Sequence, residues 1–279
     1  MRIIRSINKI KKEIVEIKKD RKTIGFVPTM GALHNGHISL IRKARKENDV
    51  VIISIFVNPT QFGPNEDYKR YPRPFKKDIK ISNRENVDII FYPSPNEMYP
   101  EGYLTYVNVE KLSKLLCGVT RPTHFRGVTT VVLKLFNIVK PDVAYFGQKD
   151  FQQFKIIEKM TKDLNLDIRL KMCPIVREKS GLALSSRNRY LSLKQRKQAL
   201  SLFRALKEAK QLILQGERSS KRITSYMKRV ILSEPETRID YIKIVKPTTL
   251  EEVRQIENKV AILLAVYIGK TRLIDNIIV

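Results

Sequence analysis

The sequence predicts an α/β protein: a Rossmann-like parallel sheet with helices on both faces, followed by a smaller C-terminal α+β domain. Three observations predict it. Apolar, β-branched runs such as DVVIISIFVN alternate with helical patterns as far as residue 176, which is the spacing of βαβ units. Those runs are continuously apolar rather than alternating, as strands covered on both faces are. After SSRNRYLS the character changes, and two long helical patterns precede strands with no helix between them. We therefore divide the 279 residues into a Rossmann-like domain over 1–176 and a smaller α+β domain over 177–279, the second expected to form a lid over the first. No glycine- or serine-rich linker marks the boundary, and there is no internal repeat.

Each element follows from its own pattern. Isoleucines at 3, 7, 10, 14 and 17 recur with helical spacing and predict an amphipathic surface helix across the start of the chain. That start has no uninterrupted apolar region, so it does not read as a signal peptide, and no stretch approaches the ~20 apolar residues of a membrane helix. The expectation is a cytoplasmic protein. TIGFVPT reads as a strand, NGHISLIRKARKEN as a helix with Ile38, Leu40, Ile41 and Ala44 on one face, and DVVIISIFVN as a buried strand. Residues 58–74 are rich in proline, glycine and polar residues and read as a long loop, a kind of segment that is often functional. A helix over about 75–86 and the strand VDIIFYP follow. HFRGVTTVVLKLFNIVKP is a helix closed by Pro141, DVAYFG a strand, QKDFQQFKIIEKMTKDL a helix and LDIRLKMCPIV a strand. Beyond them, Ser192 caps a long helix ended by Gly216, SKRITSYMKRVILSE is a second helix, and TRIDYIKIVKP and NKVAILLAVYIGKTRLIDNIIV are strands.

Composition narrows the function less than the pattern does. The net charge is +26, with 54 Lys and Arg against 28 Asp and Glu. The basic residues occur in nearly every segment, mixed with acidic ones, rather than in one block. That distribution makes nucleic-acid binding the minor reading, and an anionic small substrate gains from the same field. The two cysteines, Cys117 and Cys173, lack metal or redox spacing and read as buried thiols.

In an open parallel sheet, ligands bind beyond the carboxyl ends of the strands. The segments to inspect are Pro28 to His37, Val57 to Gly63, Gly147 to Asp150 and the region of Val176. The first, PTMGALHNGH, holds two of the three histidines. A helix opening near Asn35 offers unpaired N–H groups and a positive dipole end, and Gly31 and Gly36 let a ligand approach the backbone. His34 and His37, three apart, can face one phosphate group across the first turn. Zinc would need more ligands, with only His124 left as a histidine. General-base histidines would need a nucleophile, and no nucleophile elbow is present. Two capping or surface histidines would be the plainer reading of an isolated HxxH.

HNGH resembles the HIGH signature of adenylate-forming nucleotidyltransferases and class I aminoacyl-tRNA synthetases. The wider stretch PTMGALHNGHISLIRKAR resembles the pantothenate synthetase, or pantoate–β-alanine ligase, family. FVNPTQFGPNEDYKRYPR, HFRGVTTVVLKLFNIVKPDVAYFGQKDFQQ and GLALSSRNRYLS resemble the same family in the same order. Together they cover most of residues 24–192. The resemblance implies an ATP-dependent condensation of D-pantoate with β-alanine through a pantoyl adenylate, releasing pyrophosphate and then AMP. It implies ATP contacts from Met30, Gly31, Ala32, Leu33, His34, Asn35, Gly36 and His37, with His34 and His37 catalytic. His37 is the family's assigned proton donor, although polarising phosphate oxygens would explain the residue equally well.

Further ATP contacts are implied from Gly147, Gln148, Lys149 and Asp150, from the backbone of Val176, and from Leu184, Ser185, Ser186 and Arg187. The last four resemble the family's version of the mobile KMSKS loop, with leucine where methionine is common, and Ser180 stands where aspartate is frequent. Gln61 is implied as a ligand of pantoate and β-alanine, and Gln153 as the second pantoate ligand. For Gln152 and Gln153 the alternative is a solvated helix face, expected for one of the pair. Arg121, His124 and Arg126 form a basic group suited to an anionic substrate. Magnesium is implied with ATP, with Asp67 and Asp150 as candidate ligands, and the family implies a homodimer. The competing readings are a nucleotidyltransferase of the same superfamily acting on another small acid, and a basic nucleic-acid-binding protein.

Overall fold

Six parallel strands, in the spatial order Arg2–Ile4, Ile89–Phe91, Val50–Ile55, Ile24–Thr29, Val143–Gly147 and Arg169–Cys173, form the larger sheet of the computed structural model, and three antiparallel strands, Thr237–Val245, Ala261–Ile268 and Thr271–Ile278, the smaller. The structure describes residues 1–64 and 66–279; Asn65, inside the loop predicted over 58–74, lies outside the described residues. The chain forms two compact units. The first is Met1–Lys114, Gly118–Gly147 and Gln153–Pro174, and the second is Leu115–Cys117, Gln148–Gln152 and Ile175–Val279.

The elements of the first unit run β1 (Arg2–Ile4), α1 (Ile7–Lys19), β2 (Ile24–Thr29), α2 (Asn35–Glu47), β3 (Val50–Ile55), α3 (Phe75–Arg84), β4 (Ile89–Phe91), α4 (Pro95–Met98), α5 (Cys117–Thr120), α6 (His124–Val139), β5 (Val143–Gly147), α7 (Phe151–Asp163) and β6 (Arg169–Cys173). Two of these, α5 and α7, begin in segments of the second unit. The first residues differ from the predicted helix. Ile3 belongs to β1, which pairs with β4 through Ile3 and Ile90, and the helix starts only at Ile7. A residue at position 3 satisfies the helical spacing, but the backbone of Arg2–Ile4 completes the open edge of β4, and pairing outweighs a one-residue extension of a helix end. Ile10, Ile14 and Ile17 are buried as expected.

Every residue of β3 is buried, as its continuous apolar run requires. From β2 the chain moves outward to β3 and β4, then returns to place β5 on the other side of β2. The strand order therefore reverses between β2 and β5, the place where ligands of open parallel sheets bind, beyond the carboxyl ends of the strands. On one face, Leu40, Ile41 and Ala44 of α2 pack with Val51, Ile53, Ile90 and Tyr145, with Phe75 and Ile79 of α3 against them. Gly25 in β2 is required by this packing, since a Cβ there would lie 2.6 Å from Asn48 Nδ2.

The second unit contains α8 (Leu193–Leu214), α9 (Ser220–Leu232), β7 (Thr237–Val245), β8 (Ala261–Ile268) and β9 (Thr271–Ile278). Ser192 caps α8, accepting from the backbone of Gln195 while the Gln195 side chain accepts from Ser192 N. Leu202, Leu206, Ile223, Met227, Ile231, Ile262, Leu264 and Val266 form its core. No helix among the described residues is long and apolar enough to cross a membrane.

Candidate active site

The HNGH segment sits at the carboxyl end of β2, where the switch in strand order predicts a ligand. Its turn is tightly specified. Gly31 has φ +80°, and a Cβ would meet Ile55 at 2.9 Å and Asp78 at 3.0 Å, so only glycine fits. Ala32 follows at φ +51°, an uncommon conformation for a residue with a side chain. The buried carboxylate of Asp78 on α3 holds that conformation by accepting from Ala32 N at 2.9 Å and Leu33 N at 2.8 Å. Asp78 was not among the residues the sequence singled out.

His34 is the N-cap of α2. Its Nδ1 accepts from Gly36 N at 3.1 Å, and His37 Nδ1 lies 3.3 Å from His34 N, which donates to it. The capping alternative is thus correct for one nitrogen of each ring. It also determines the other nitrogen. When Nδ1 accepts, the proton of a neutral imidazole is on Nε2. The rings are 4.1 Å apart at 40°, and the first turn of α2 contains no acidic residue. The N-terminus of α2 therefore pairs a positive dipole end with two imidazole N–H donors, a suitable arrangement for phosphate.

Gln61 lies in a short 3-10 turn, Pro59–Gln61, beyond β3, and is buried. Its Oε1 accepts from Asn58 Nδ2 at 3.1 Å, and its Nε2 donates to Met30 Sδ at 3.3 Å. A thioether is a weak acceptor, so the amide keeps a strong donor for a ligand. Asn58 is held in turn by Gly127 O at 3.1 Å and by the Tyr99 hydroxyl, which donates to Asn58 Oδ1 at 2.8 Å. Burial pushes the Tyr99 phenol up to about 12, so it stays protonated and donates.

The basic group Arg121, His124 and Arg126 behaves differently from its expectation. Arg121 makes a two-point pair with Glu66, both contacts at 2.5 Å, and reaches Gln61 O at 3.3 Å. His124 Nδ1 lies 2.9 Å from the same carbonyl, and the Arg126 guanidinium stacks 4.0 Å above Tyr106. Two of the three therefore brace the Gln61 turn. Gly127 permits it, because a Cβ there would come within 2.3 Å of Thr60 O.

Gly147 ends β5, and a Cβ at this position would meet nothing within 4 Å, so the fold itself does not demand glycine here. Gln153 is half-buried on α7. Gln152 is buried rather than solvated: its Nε2 donates to Leu115 O at 2.7 Å and its Oε1 accepts from Cys117 N at 3.1 Å. Of the pair, Gln152 is the buried one, where a solvated position was expected for it. The remaining predicted residues belong to the second unit. Gln148–Asp150 form a 3-10 turn, with Lys149 Nζ 3.6 Å from Asp150. Val176 O accepts from Leu184 N at 3.0 Å, closing a hairpin that leads into Leu184–Arg187. Ser185 caps the following turn by accepting from Arg187 N at 3.3 Å, and Ser186 is buried. Both cysteines are free and buried.

A parallel sheet that reverses strand order at a helix N-terminus lined by imidazole donors defines a nucleotide-binding α/β protein. Within that class the chain belongs to the pantoate-β-alanine ligase family, whose model matches residues 2–278. It is 58% identical to the pantothenate synthetase of Thermotoga petrophila over 278 residues, 100% of this chain and 99% of that one. It is 56% identical to that of Caldicellulosiruptor saccharolyticus over 279 residues, with the same coverage. Among solved structures, the pantothenate synthetase of Thermus thermophilus is 42% identical with a TM-score of 0.95, covering 99% of both chains. The pantoate-β-alanine ligase of Francisella tularensis, complexed with β-γ ATP and β-alanine, is 40% identical with a TM-score of 0.81, covering 99% of this chain and 97% of that one.

Proposed function

We propose that this chain condenses D-pantoate with β-alanine to pantothenate, using ATP, through a pantoyl adenylate. A pantoate carboxylate oxygen attacks the α-phosphorus, the bond to the bridging oxygen of the β-phosphate breaks, and pyrophosphate leaves. The amine of β-alanine then attacks the acyl carbon, AMP leaves, and the amine gives up a proton as the amide forms. An amine does not displace a carboxylate oxygen unaided, so adenylation supplies the leaving group. The protein's part is to hold two anions together and to offset the charge that develops on the phosphates.

The observation that carries this reading is the engagement of both Nδ1 atoms at the start of α2, which sets His34 and His37 as Nε2–H donors. In this reading those donors and the backbone of Met30 to His37 receive the phosphates. Lys149 and the Ser185–Arg187 turn add a mobile cation, hydroxyls and a guanidinium. Gly147, Gln148, Asp150, Val176 and Leu184 complete the nucleotide contacts. Gln61 and Gln153 hold pantoate, and Gln61 then meets the amine of β-alanine. No group of three or more His, Cys, Asp or Glu side chains able to hold a metal ion occurs among the described residues. In this reading magnesium is held mainly by phosphate oxygens and water, with Asp67 and Asp150 as its candidate protein contacts. By family resemblance the chain acts as a homodimer, and sedimentation at twice the chain mass is the expected result.

Purified protein given ATP, magnesium and pantoate should release pyrophosphate, and adding β-alanine should release AMP and pantothenate. Pyrophosphate without any amine-dependent AMP would indicate a nucleotidyltransferase that stops at the adenylate. No pyrophosphate would sink the proposal.

A further inference from the structure

Strand β9 carries two polar residues for which the reaction above has no use. It runs TRLIDNII, and neighbouring residues in a strand face opposite sides, so at least one of two consecutive polar residues is usually solvated in a small sheet. Asp275 is 3% exposed and Asn276 2%. A buried carboxylate and a buried amide are costly unless paired. Both are paired, and their partners are the two segments assigned to the nucleotide in this unit.

Asn276 grips the Gln148–Asp150 turn at three points. Its Nδ2 donates to Gln148 O at 2.9 Å and to Lys149 O at 3.0 Å, and its Oδ1 lies 3.2 Å from Gln148 Nε2, which donates to it. Asp275 grips the hairpin. Its two oxygens accept from Arg177 Nη1 at 2.6 Å and Nη2 at 2.8 Å. Arg177 Nη1 also donates to Gly181 O at 3.1 Å, and its guanidinium stacks 4.0 Å above Phe203. Arg177 bridges to Ala183 across the hairpin that delivers Leu184–Arg187. The pair is linked internally, with Asn276 N donating to Asp275 Oδ1 at 2.8 Å. An apolar pair would fill the same space, but it would leave two backbone carbonyls and a guanidinium unmatched and would specify neither segment.

We infer that Asp275 and Asn276 are positioning residues for the nucleotide: Asn276 sets the turn that carries Lys149, and Asp275, through Arg177, sets the hairpin that presents Ser185–Arg187. Neither touches substrate. The inference rests on the proposed phosphate roles of Lys149 and Ser185–Arg187.

The test is the kinetics of pyrophosphate release in Asn276→Leu, which keeps the volume and removes the hydrogen bonds, and in Asp275→Asn, which keeps the shape and removes the charge. In each, kcat/KM for ATP should fall about tenfold or more, while KM for pantoate stays within about twofold. The double variant Asn276→Leu/Lys149→Ala should be no slower than Lys149→Ala alone, because residues acting through one group are non-additive. Wild-type ATP kinetics in both single variants, or equal losses for ATP and pantoate, or fully additive losses, would overturn the inference. A Lys149→Ala variant at nearly full rate would overturn the role of Lys149 instead, so the two failures are distinguishable. If a variant at 275 or 276 does not fold, Arg177→Lys, which cannot make the two-point contact with Asp275, carries the same expectation for the hairpin, and Asn276→Ser, too short to reach the carbonyls of Gln148 and Lys149, carries it for the turn.

Discussion

His34 and His37 show how one residue type serves two needs at the same place. One nitrogen of each ring closes the amide end of α2, and that engagement fixes the other as a donor. Gln61 depends in the same way on its neighbours. Its side chain is set by Asn58 and Met30, and its backbone by Arg121 and His124. Gly127 tests this dependence. An added Cβ would approach Thr60 O to 2.3 Å and Gln61 N to 2.6 Å, so the turn has to move. We expect Gly127→Ala to destabilise the protein by about 1–3 kcal/mol, the cost of overpacking. We also expect a higher KM for pantoate with little change in KM for ATP, read from urea unfolding and steady-state kinetics.

At the scale of the element, α2 and α3 form a working pair. The N-terminus of α2 supplies donors, and Asp78 on α3 accepts the two amides that shape the turn leading into it. The turn combines a glycine and an alanine at positive φ, which local preference alone would not maintain. In Asp78→Asn one of the two amides faces an NH₂ group instead of an acceptor. The expected loss is about 1–3 kcal/mol for an unsatisfied buried donor, measured by chemical denaturation, together with slower pyrophosphate release. Full activity and unchanged stability in this variant would show that the turn holds itself. β9 is the second such element. Its polar pair is legible as an interruption, since LIDNII sets two polar residues inside an apolar strand, but only the fold reveals what they hold.

The whole molecule carries a net charge of +26, so its carboxylates are outnumbered and several sit among cations. Glu47 is the clearest. Lys171, Lys43 and the Tyr145 hydroxyl surround it, at 2.8, 2.8 and 2.7 Å, and hold it at about 2. A carboxyl depressed by folding stabilises the folded state above its unfolded value, and that contribution is lost as pH falls through the folded one. Melting temperature should therefore fall as pH drops from about 4.5 towards about 2. Glu47→Gln should flatten that fall while lowering stability at neutral pH. An identical acid slope in the variant would remove Glu47 from the account. Mutual repulsion of the excess cations also predicts that added salt raises the melting temperature.

The sequence by itself determined the βαβ alternation, the helix caps at Ser192 and Gly216, and the placement of HNGH and GQKD after strands. It could do so because periodicity, β-branching and chain punctuation are local signals, and because ligands in such sheets gather where strands end. It misplaced Ile3, since strand pairing is settled by a distant edge, and it put a glutamine of the Gln152–Gln153 pair on a solvated face where Gln152 is buried. Only the tertiary structure decided that Asp78 shapes the turn of the histidines, that Arg121 and His124 brace Gln61, and that Asp275 and Asn276 hold Arg177 and the Gln148–Asp150 turn. Those partners lie tens of residues or more apart in the chain, and a hydrogen bond between them exists only once the core has brought them together.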